Sequence, residues 1–590
     1  MQLTPSHGAL PGKPRGPLPG TLLPKRCSFA PRPLARVLWT GIVIWSLAFG
    51  LGRGAPEWGL SATDSRLPGY DSFGGYNLNT GRKTGFFHTE QIGGRWYLID
   101  PEGHPFWMRS VYNIDPYSSG QTIGRKYGGI PRWAVQTVRR LRGWGFNTIG
   151  EYSGNALFPV GVYGSPSGDP EKMPFIGFLA PGMGALANSR GLAKSQTLDI
   201  MAGIPPQTYN DWRSPLVDFY APQFEEYVKN VVSGAEATFT APISRSPWLV
   251  GWTIDDADKW YGLAGGATSG CPVRYPHPGW MVAVTNFDQG RGRPSGSHGD
   301  MKVYSKYALR DFLAKKYSTI QALNAAWKSD YTTFDSDGGY GSGRGFLDED
   351  GRHFWIGKDW KTLSDASPNV KGDLDAFLLE FARKAFSVIV SRVRAMDHNH
   401  LIFGPAALNK FGCLARPQVL QAAAEHVDVL QVSADVLNLA NNSEVMAMSY
   451  ELTHKPLLVW VGFMANPDST LKGSPNIYAM PPISTQQERG AYYGKMLMRL
   501  VSVKGSDGVY PVVGLDWWDW MDSGGEGANW GLITYRDNAY DGREAIIAPG
   551  SDPWGFPTGG EAANYGDFLD AVRQANFNLP YALGLTQDDH

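Results

Sequence analysis

Three aspartates, Asp255, Asp256 and Asp258, stand within four residues of one another at the end of an apolar segment. That segment, residues 246–254, has the sequence SPWLVGWTI, and Trp260 follows the acids. Carboxyl groups serve as general acids and bases, and cleavage of a glycosidic bond uses two of them, one on each side of the bond. Indole rings are apolar with one polar tip, which suits the faces of sugar rings. The cluster therefore predicts a site that cleaves or binds sugars.

More acids follow other segments with the composition of buried strands. They are Glu151, Asp435, Asp516 and Asp519. An acid at such a point often caps a helix or fixes a turn, so each one also has a structural explanation. The carboxyl ends of parallel barrel strands meet at one face, however, and there these acids would lie near the aspartate cluster. The predicted catalytic residues are Asp256, Asp255, Glu151 and Asp435.

A second set of polar and aromatic residues at the same strand ends is predicted to bind substrate. It comprises Asn113, Trp252, Asp258, Trp260, Trp460, Asp516, Trp517, Trp518 and Asp519. Rings and acids alternate in the segment GLDWWDWMD, residues 514–522. Because side chains alternate between the two faces of a strand, Trp517 and Trp518 cannot both face a cleft, and one of them is expected in the core.

Eight apolar segments typical of buried parallel strands alternate with segments of helical character. The predicted strands are residues 106–112, 146–150, 173–179, 248–254, 401–405, 427–432, 456–463 and 508–516. This order predicts an α/β fold, a (β/α)8 TIM barrel, in which residues just past the strand ends form the site. A short N-terminal β segment is expected at residues 84–100. Residues 262–299 and 335–352 are long loop insertions of the kind that are usually functional or disordered.

The chain begins with a basic, Pro/Gly-rich leader and an apolar segment, within residues 1–55. The apolar part, residues 37–51, is shorter than the roughly 20 residues of a membrane-spanning helix. It predicts a signal peptide and export, to the periplasm, the cell surface or the medium, with a retained signal anchor as the alternative. A linker (residues 56–84), a barrel domain (85–575) and a C-terminal tail (576–590) are expected to follow.

The composition excludes some classes of function. A net charge of −1 is not the basic excess of a nucleic-acid-binding protein. The three cysteines have no metal-ligand spacing, and the histidines, His104 among them, are expected to be structural. No metal or organic cofactor is predicted, although the Asp- and Gly-rich residues 335–350 leave Ca²⁺ binding open as an alternative.

Taken together, these segments resemble the agarase-type branch of clan A glycoside hydrolases over most of residues 85–544. The matching segments occur in the family's order and include GRWYLIDPEGHPFWMRSVYN, LRGWGFNTIGEYS, PWLVGWTIDDADKW and GLDWWDWMDSGGEGANWGLITYRD. The resemblance implies a (β/α)8 fold and a polysaccharide substrate, a galactan such as agarose or another β-glycan.

The resemblance also implies two catalytic glutamates, a general acid/base after the fourth strand and a nucleophile in the seventh. Ala257 stands at the first position, and no acid occurs near Val461, where the second is expected. We therefore expect both usual catalytic positions to be replaced, which leaves three hypotheses. In the first, the protein is an enzyme with relocated acids: Asp256 is the general acid and Glu151 or Asp435 activates water, with inversion. In the second it is an inactive barrel that binds polysaccharide, and in the third a membrane-anchored structural protein.

Overall fold

The structure is a computed structural model of the 590-residue chain. It describes residues 69–78, 80–116, 126–127, 129–154, 157–158, 172–189, 196–200, 217–235, 243–255, 302–338, 343–349, 368–405, 416–435, 439–462, 483–522, 530–534, 536–541 and 564–585. Within these ranges, the side chains of residues 434–435, 439–442 and 462 are not described. All the described residues fall in one compact unit, Thr63–His590.

Eight parallel strands form the barrel predicted from the sequence. In chain order they are β4 (Met108–Val111), β5 (Thr148–Ile149), β6 (Phe175–Leu179), β7 (Leu249–Ile254), β8 (Leu401–Phe403), β9 (Leu430–Asp435), β10 (Leu457–Gly462) and β11 (Val512–Trp518). The hydrogen-bonded order runs from β8 through β7, β6, β5, β4, β11 and β10 to β9. A parallel bridge between Phe403 and Val429 joins the two ends of this sheet. The (β/α)8 fold is therefore confirmed, with each strand within a few residues of its predicted position.

A small antiparallel sheet lies beneath the barrel. Its strands are β1 (His88–Ile92), β2 (Arg95–Ile99) and β3 (Pro105–Phe106). Apolar side chains of this sheet and of the segment before it pack against barrel residues in one buried cluster: Phe73, Phe87, Leu98, Phe106, Met108, Ile176, Val250, Leu401, Phe403, Val429, Leu458 and Val513. The N-terminal β segment predicted from the sequence is thus the floor of the barrel.

Helices surround the barrel and cover its outward-facing residues in a second, larger cluster. They are α1 (Ile130–Gly143), α2 (Pro181–Ser189), α3 (Phe224–Ala235), α4 (Tyr304–Tyr317), α5 (Ile320–Trp327), α6 (Pro368–Met396), α7 (Pro417–Ala424), α8 (Leu439–Thr453), α9 (Gln486–Ser502) and α10 (Tyr565–Leu583). Local sequence sets some of their ends: the Thr319 and Thr485 hydroxyls accept hydrogen bonds from the N–H groups of Ala322 and Glu488, respectively. Among the described residues, no helix combines the length and the apolarity that crossing a membrane requires.

Packed structure crosses two of the predicted boundaries. Helix α10 crosses the proposed start of a tail at residue 576, and Asn576 and Leu579 are buried in it. The proposed linker, residues 56–84, also contains packed structure, since Phe73 contacts Trp248 with ring centroids 4.4 Å apart. Both ends of the predicted barrel domain therefore extend further than the change in composition indicated.

Candidate active site at the mouth of the barrel

The strand register places four polar and aromatic residues of neighbouring strands side by side. Trp460 of β10 pairs with Asp516 of β11, Asp516 with Ser110 of β4, and Ser110 with Thr148 of β5. On the other side, Trp460 pairs with Ser433 of β9. Two residues further along β10, towards its C-terminal end, Gly462 pairs with Trp518 of β11 and with Asp435 of β9. The predicted residues of β9, β10 and β11 therefore meet at one end of the barrel.

Asp516 is fully buried at this end of the barrel. Neither of its carboxylate oxygens has a hydrogen-bond partner of good geometry among the described residues, because the Ser110 hydroxyl donates to the Leu515 carbonyl instead. Burial raises the pKa of Asp516 to about 7, and the polar Ser110 side chain and the main-chain N–H of Glu151 offset only part of that rise. Near neutral pH, both the protonated and the ionised form of Asp516 are therefore populated.

Glu151 follows β5 and is 1% exposed. Its carbonyl accepts a hydrogen bond from the N–H of Asn113, which fixes the residue after β4 against the residue after β5. The Asn113 side chain in turn donates to Oδ2 of Asp519 over 3.4 Å, and the other oxygen of Asp519 accepts from the N–H of Trp520. The structure therefore brings together Asn113, Glu151, Asp516 and Asp519, as the sequence predicted.

Aromatic rings form a continuous arc across the same end of the barrel. Tyr112 lies at its centre, with ring-centroid distances of 4.3 Å to Trp518, 5.9 Å to Trp460 and 5.0 Å to Tyr152. Tyr152 in turn stacks on Phe178 at 3.8 Å. Tyr152, Phe178 and Trp518 are partly exposed, so their rings offer apolar faces to a ligand at the mouth. We call Tyr112, Tyr152, Phe178, Trp460 and Trp518 the aromatic arc.

Asp255 directly follows β7, as predicted, and its carboxylate contacts the start of α2. It is 2% exposed, and its two carboxylate oxygens accept hydrogen bonds from the N–H groups of Gly182 and Met183, at 3.1 and 2.9 Å. These N–H groups belong to the first turn of α2, which has no helical partners for them. Asp255 therefore caps α2, the helix that follows the neighbouring strand β6, and this contact gives the residue a structural role.

Two of the predicted stacking residues point away from the mouth. Trp517 is fully buried on the outer face of β11, with ring centroids 5.4 Å from Tyr493 and 5.8 Å from Phe568. Trp252 is 2% exposed, and its indole N–H donates to Oδ2 of Asp397 over 2.7 Å. Neither ring therefore lies at the mouth, and of the Trp517–Trp518 pair it is Trp518 that faces the cleft.

Three predicted residues, Asp256, Asp258 and Trp260, lie outside the described residues. Asp435 is the last residue of β9, but its side chain is not described. Their predicted roles therefore stay predictions. The Asp- and Gly-rich insertion is described in part: the Asp348 carboxylate accepts hydrogen bonds from the Ser336 hydroxyl and from the N–H groups of Asp337 and Gly345.

Sequence reasoning missed Tyr112, Tyr152 and Phe178, which complete the aromatic arc. A signal was present for two of them, since Tyr112 directly follows β4 and Tyr152 directly follows the acid at the end of β5. In a barrel, residues at these positions face the mouth. Counting aromatic residues as well as acids at the strand ends would have identified both tyrosines.

The closed parallel barrel with acids and aromatic rings at its C-terminal end has the architecture of clan A glycoside hydrolases, and the chain resembles their agarase-type members. Two curated relatives are β-agarases B and A of Vibrio sp. (strain JT0107). β-Agarase B is 22% identical over 551 residues, which cover 81% of this chain and 49% of that protein. β-Agarase A is 22% identical over 509 residues, covering 76% and 43%. The chain thus spans about half the length of these relatives.

Solved structures show the same fold. An exo-β-agarase superimposes with a TM-score of 0.61 and 18% identity, covering 88% of this chain and 68% of that one. A second agarase gives a TM-score of 0.60 at the same identity and coverage. No family model matches the chain.

Proposed function

We propose that this protein is a glycoside hydrolase that acts on a polysaccharide, with an agarose-like galactan as the first substrate to test and other β-glycans as the next. The observation that carries the proposal is the aromatic arc at the end of the barrel where the strands also bring the buried residues Glu151 and Asp516. Similarity to β-agarases supports the same substrate class.

The arc suits a chain of sugar units laid across the mouth. Tyr152, Phe178 and Trp518 present apolar ring faces, against which the C–H faces of sugars pack. Asn113 and Asp519 lie beside Trp518 and supply an amide and a carboxylate for hydroxyl groups. In this arrangement the rings supply most of the contact area and the polar pair sets the orientation.

For catalysis we propose Asp256 as the general acid and Glu151 or Asp435 as the base that activates water. Asp256 directly follows Asp255, which α2 holds in place, so the main chain leading to the acid is anchored. Inversion suits relocated acids because two carboxyl groups ~6.5–9.5 Å apart leave room for a water between them. Asp516 lies at the same end of the barrel with its pKa raised to about 7, and we propose that it binds substrate hydroxyl groups together with Asp519.

The experiment that tests the proposal is product analysis with the full chain. We would incubate it with agarose, other galactans and β-glucans, measure new reducing ends, and determine by NMR which anomer forms first. Asp256→Asn should abolish turnover while binding is retained, and Asp311→Asn, an exposed acid with a side chain 68% exposed, is the matched control. Equal turnover by wild type and Asp256→Asn would remove Asp256 from the mechanism.

The second candidate function is polysaccharide binding without catalysis. The observation that favours it is the burial of Glu151, Asp255 and Asp516, each no more than 2% exposed. Binding to one polymer with no product from any would support this candidate and contradict the enzyme.

Export through residues 37–51 is a further part of the proposal, and N-terminal sequencing of the mature protein tests it. A mature chain that retains this segment would support a membrane-anchored protein instead.

A further inference from the structure

A second group of ionisable side chains lies far from the mouth, where the segment before β1 meets the turn between β2 and β3. Asp71, Asp100 and His104 each direct one potential ligand atom to a common point, and these atoms all lie within 4.8 Å of one another. His104 Nδ1 is 2.7 Å from Asp71 Oδ2 and 3.6 Å from Asp100 Oδ2. The group belongs to the floor of the barrel and has no part in the proposed function.

The main chain fixes both aspartates. Oδ1 of Asp71 accepts hydrogen bonds from the N–H groups of Phe73 and Gly75, and Oδ1 of Asp100 accepts from those of Glu102 and His104. Each carboxylate therefore uses one oxygen to hold its own turn. The second oxygen of each faces the common point, so the two loops preorganise the group.

Asp100 Oδ2 supplies an independent observation that points to a ligand. Asp100 is fully buried, and this oxygen has no hydrogen-bond partner in the part of the chain that the structure describes. Gly75 closes over it, since a Cβ at that position would lie 1.9 Å from the oxygen. A buried carboxylate oxygen without a partner is costly, so a positive group is expected there.

The charge of the group indicates what that positive group is. Among the described residues, no Lys or Arg forms an ion pair with Asp71 or Asp100. Two carboxyl groups and an imidazole nitrogen therefore face one another without a lysine or arginine beside them, an arrangement that one divalent cation can occupy.

We propose that Asp71 Oδ2, Asp100 Oδ2 and His104 Nδ1 bind a divalent first-row transition metal ion, with Zn²⁺ as the best fit. One imidazole and two carboxylates form a donor set that Zn²⁺ accepts, at bond lengths of about 2.0–2.2 Å. A tetrahedral ion with such bonds separates its ligand atoms by about 3.3 Å. The 3.6 Å distance is close to that value, and the 2.7 Å distance has to widen by about 0.6 Å.

The fourth ligand would be water. The side chains of Asp71 and His104 are each 11% exposed, so the site opens to solvent on their side. The ion would link the segment before β1 to the β2–β3 turn and so stabilise the floor of the barrel.

The test uses the full chain without a histidine tag, stripped with EDTA and dialysed. Isothermal titration with ZnCl₂ should give one site with a Kd in the micromolar range or tighter. Zn²⁺ at 100-fold excess over Kd should raise Tm by about 2–3 °C for a chain of this size. Mn²⁺ and Ca²⁺ in parallel titrations should bind more weakly than Zn²⁺.

Asp100→Asn separates metal binding from folding. Its amide keeps the acceptor oxygen and can donate to Asp71, so the metal-free variant should melt within about 2 °C of the metal-free wild type, yet bind no Zn²⁺. His104→Gln should also lose the site. His88→Gln is the matched control, because His88 contacts a single carboxylate, that of Glu90, at 2.8 Å, and Zn²⁺ binding should be unchanged. Absence of Zn²⁺ binding by the wild type, or equal binding by Asp100→Asn, would overturn the proposal whatever the protein does to polysaccharides.

Discussion

The side chain of Asp516 occupies the space that a side chain at Gly150 would need. A Cβ at residue 150 would lie 2.4 Å from Oδ1 of Asp516 and 2.5 Å from the carbonyl oxygen of Val111. Gly150 lies between β5 and Glu151, and its lack of a side chain lets the main chain there lie against Val111 of β4 and the Asp516 side chain of β11. The buried carboxyl group therefore occupies the space left by the glycine, and a side chain at position 150 would displace it.

Gly150→Ala should destabilise the protein by about 1–3 kcal/mol, because the added methyl group forces apart two strands of a closed barrel. Urea denaturation measures the effect. The matched control is Gly372→Ala in helix α6, where a Cβ would meet nothing within 4 Å and the alanine should stabilise by about 0.4–1 kcal/mol. Equal effects of the two substitutions would contradict the tight contact at Gly150.

Asp516→Asn should change how stability depends on pH. The pKa of Asp516 is raised to about 7 in the folded protein from its ordinary value of 3.8, so the folded state holds a proton that the unfolded state releases. Its contribution to stability is therefore complete below pH 4 and declines up to about pH 7, by at most about 1.4 kcal/mol per pH unit.

The asparagine variant lacks this titration, so its stability relative to wild type should rise from pH 4 to pH 7 and then level off. Urea denaturation at pH 4, 5, 6, 7 and 8 measures the difference. A relative stability that is constant or falls over this range would show that Asp516 is ionised throughout.

Trp518→Ala should weaken polysaccharide binding and leave the fold largely intact, because its ring is partly exposed in the aromatic arc. Loss of one stacking ring should cost about 0.5–1.5 kcal/mol of binding, a change of about 2- to 13-fold in Kd. Affinity electrophoresis in agarose gels measures it, and Tyr581→Ala, which removes an aromatic ring 72% exposed, is the control. Trp517→Ala should instead destabilise by about 3–5 kcal/mol.

Arg140 and Asp537 form a buried ion pair, with Nη1 and Oδ1 2.7 Å apart and exposures of 3% and 0%. Tyr127 also donates to this carboxylate. Asp537→Ala should cost about 3–5 kcal/mol, because it leaves the guanidinium buried without its partner. The exposed pair Arg344–Asp330 is the comparison, and Asp330→Ala there should cost less than about 1 kcal/mol. Similar costs at both sites, measured by urea denaturation, would contradict this difference.

Asp255→Ala should lower stability by about 0.5–2 kcal/mol, as expected for loss of a helix cap. If the protein is a hydrolase, turnover at a temperature well below Tm should stay within about tenfold of wild type. A loss as complete as that of Asp256→Asn would return Asp255 to the catalytic residues.

The barrel could be predicted from the sequence because each of its strands is buried on both faces and so appears as a continuous apolar segment. It was less predictable which side chains face the interior of the barrel and which face the helices. Phe175 and Ile176 of β6 pair with Leu249 and Gly251 of β7, so β7 contains one extra residue at this point. Such a bulge shifts the alternation of side chains, and Trp252 consequently faces the helices.

The role of Asp255 was also beyond local sequence reasoning. Its partners, Gly182 and Met183, are more than 70 residues away in the chain, and only the packing of α2 beside β7 brings them together. The contact between Asp71 and His104 was also beyond local sequence reasoning, because the two residues are 33 positions apart in the chain. By contrast, Glu151, Asp516 and Asp519 were identified because a parallel barrel gathers its strand ends whatever the intervening sequence.

The small sheet beneath the barrel determines how a ligand can enter and leave. Phe87, Leu98 and Phe106, together with inward side chains of the strands, fill the end of the barrel that faces the small sheet, so the barrel is closed at that end. A polymer cannot pass through it. Whatever binds at the aromatic arc must lie across the rim or insert one end, and it must leave by the opening through which it arrived.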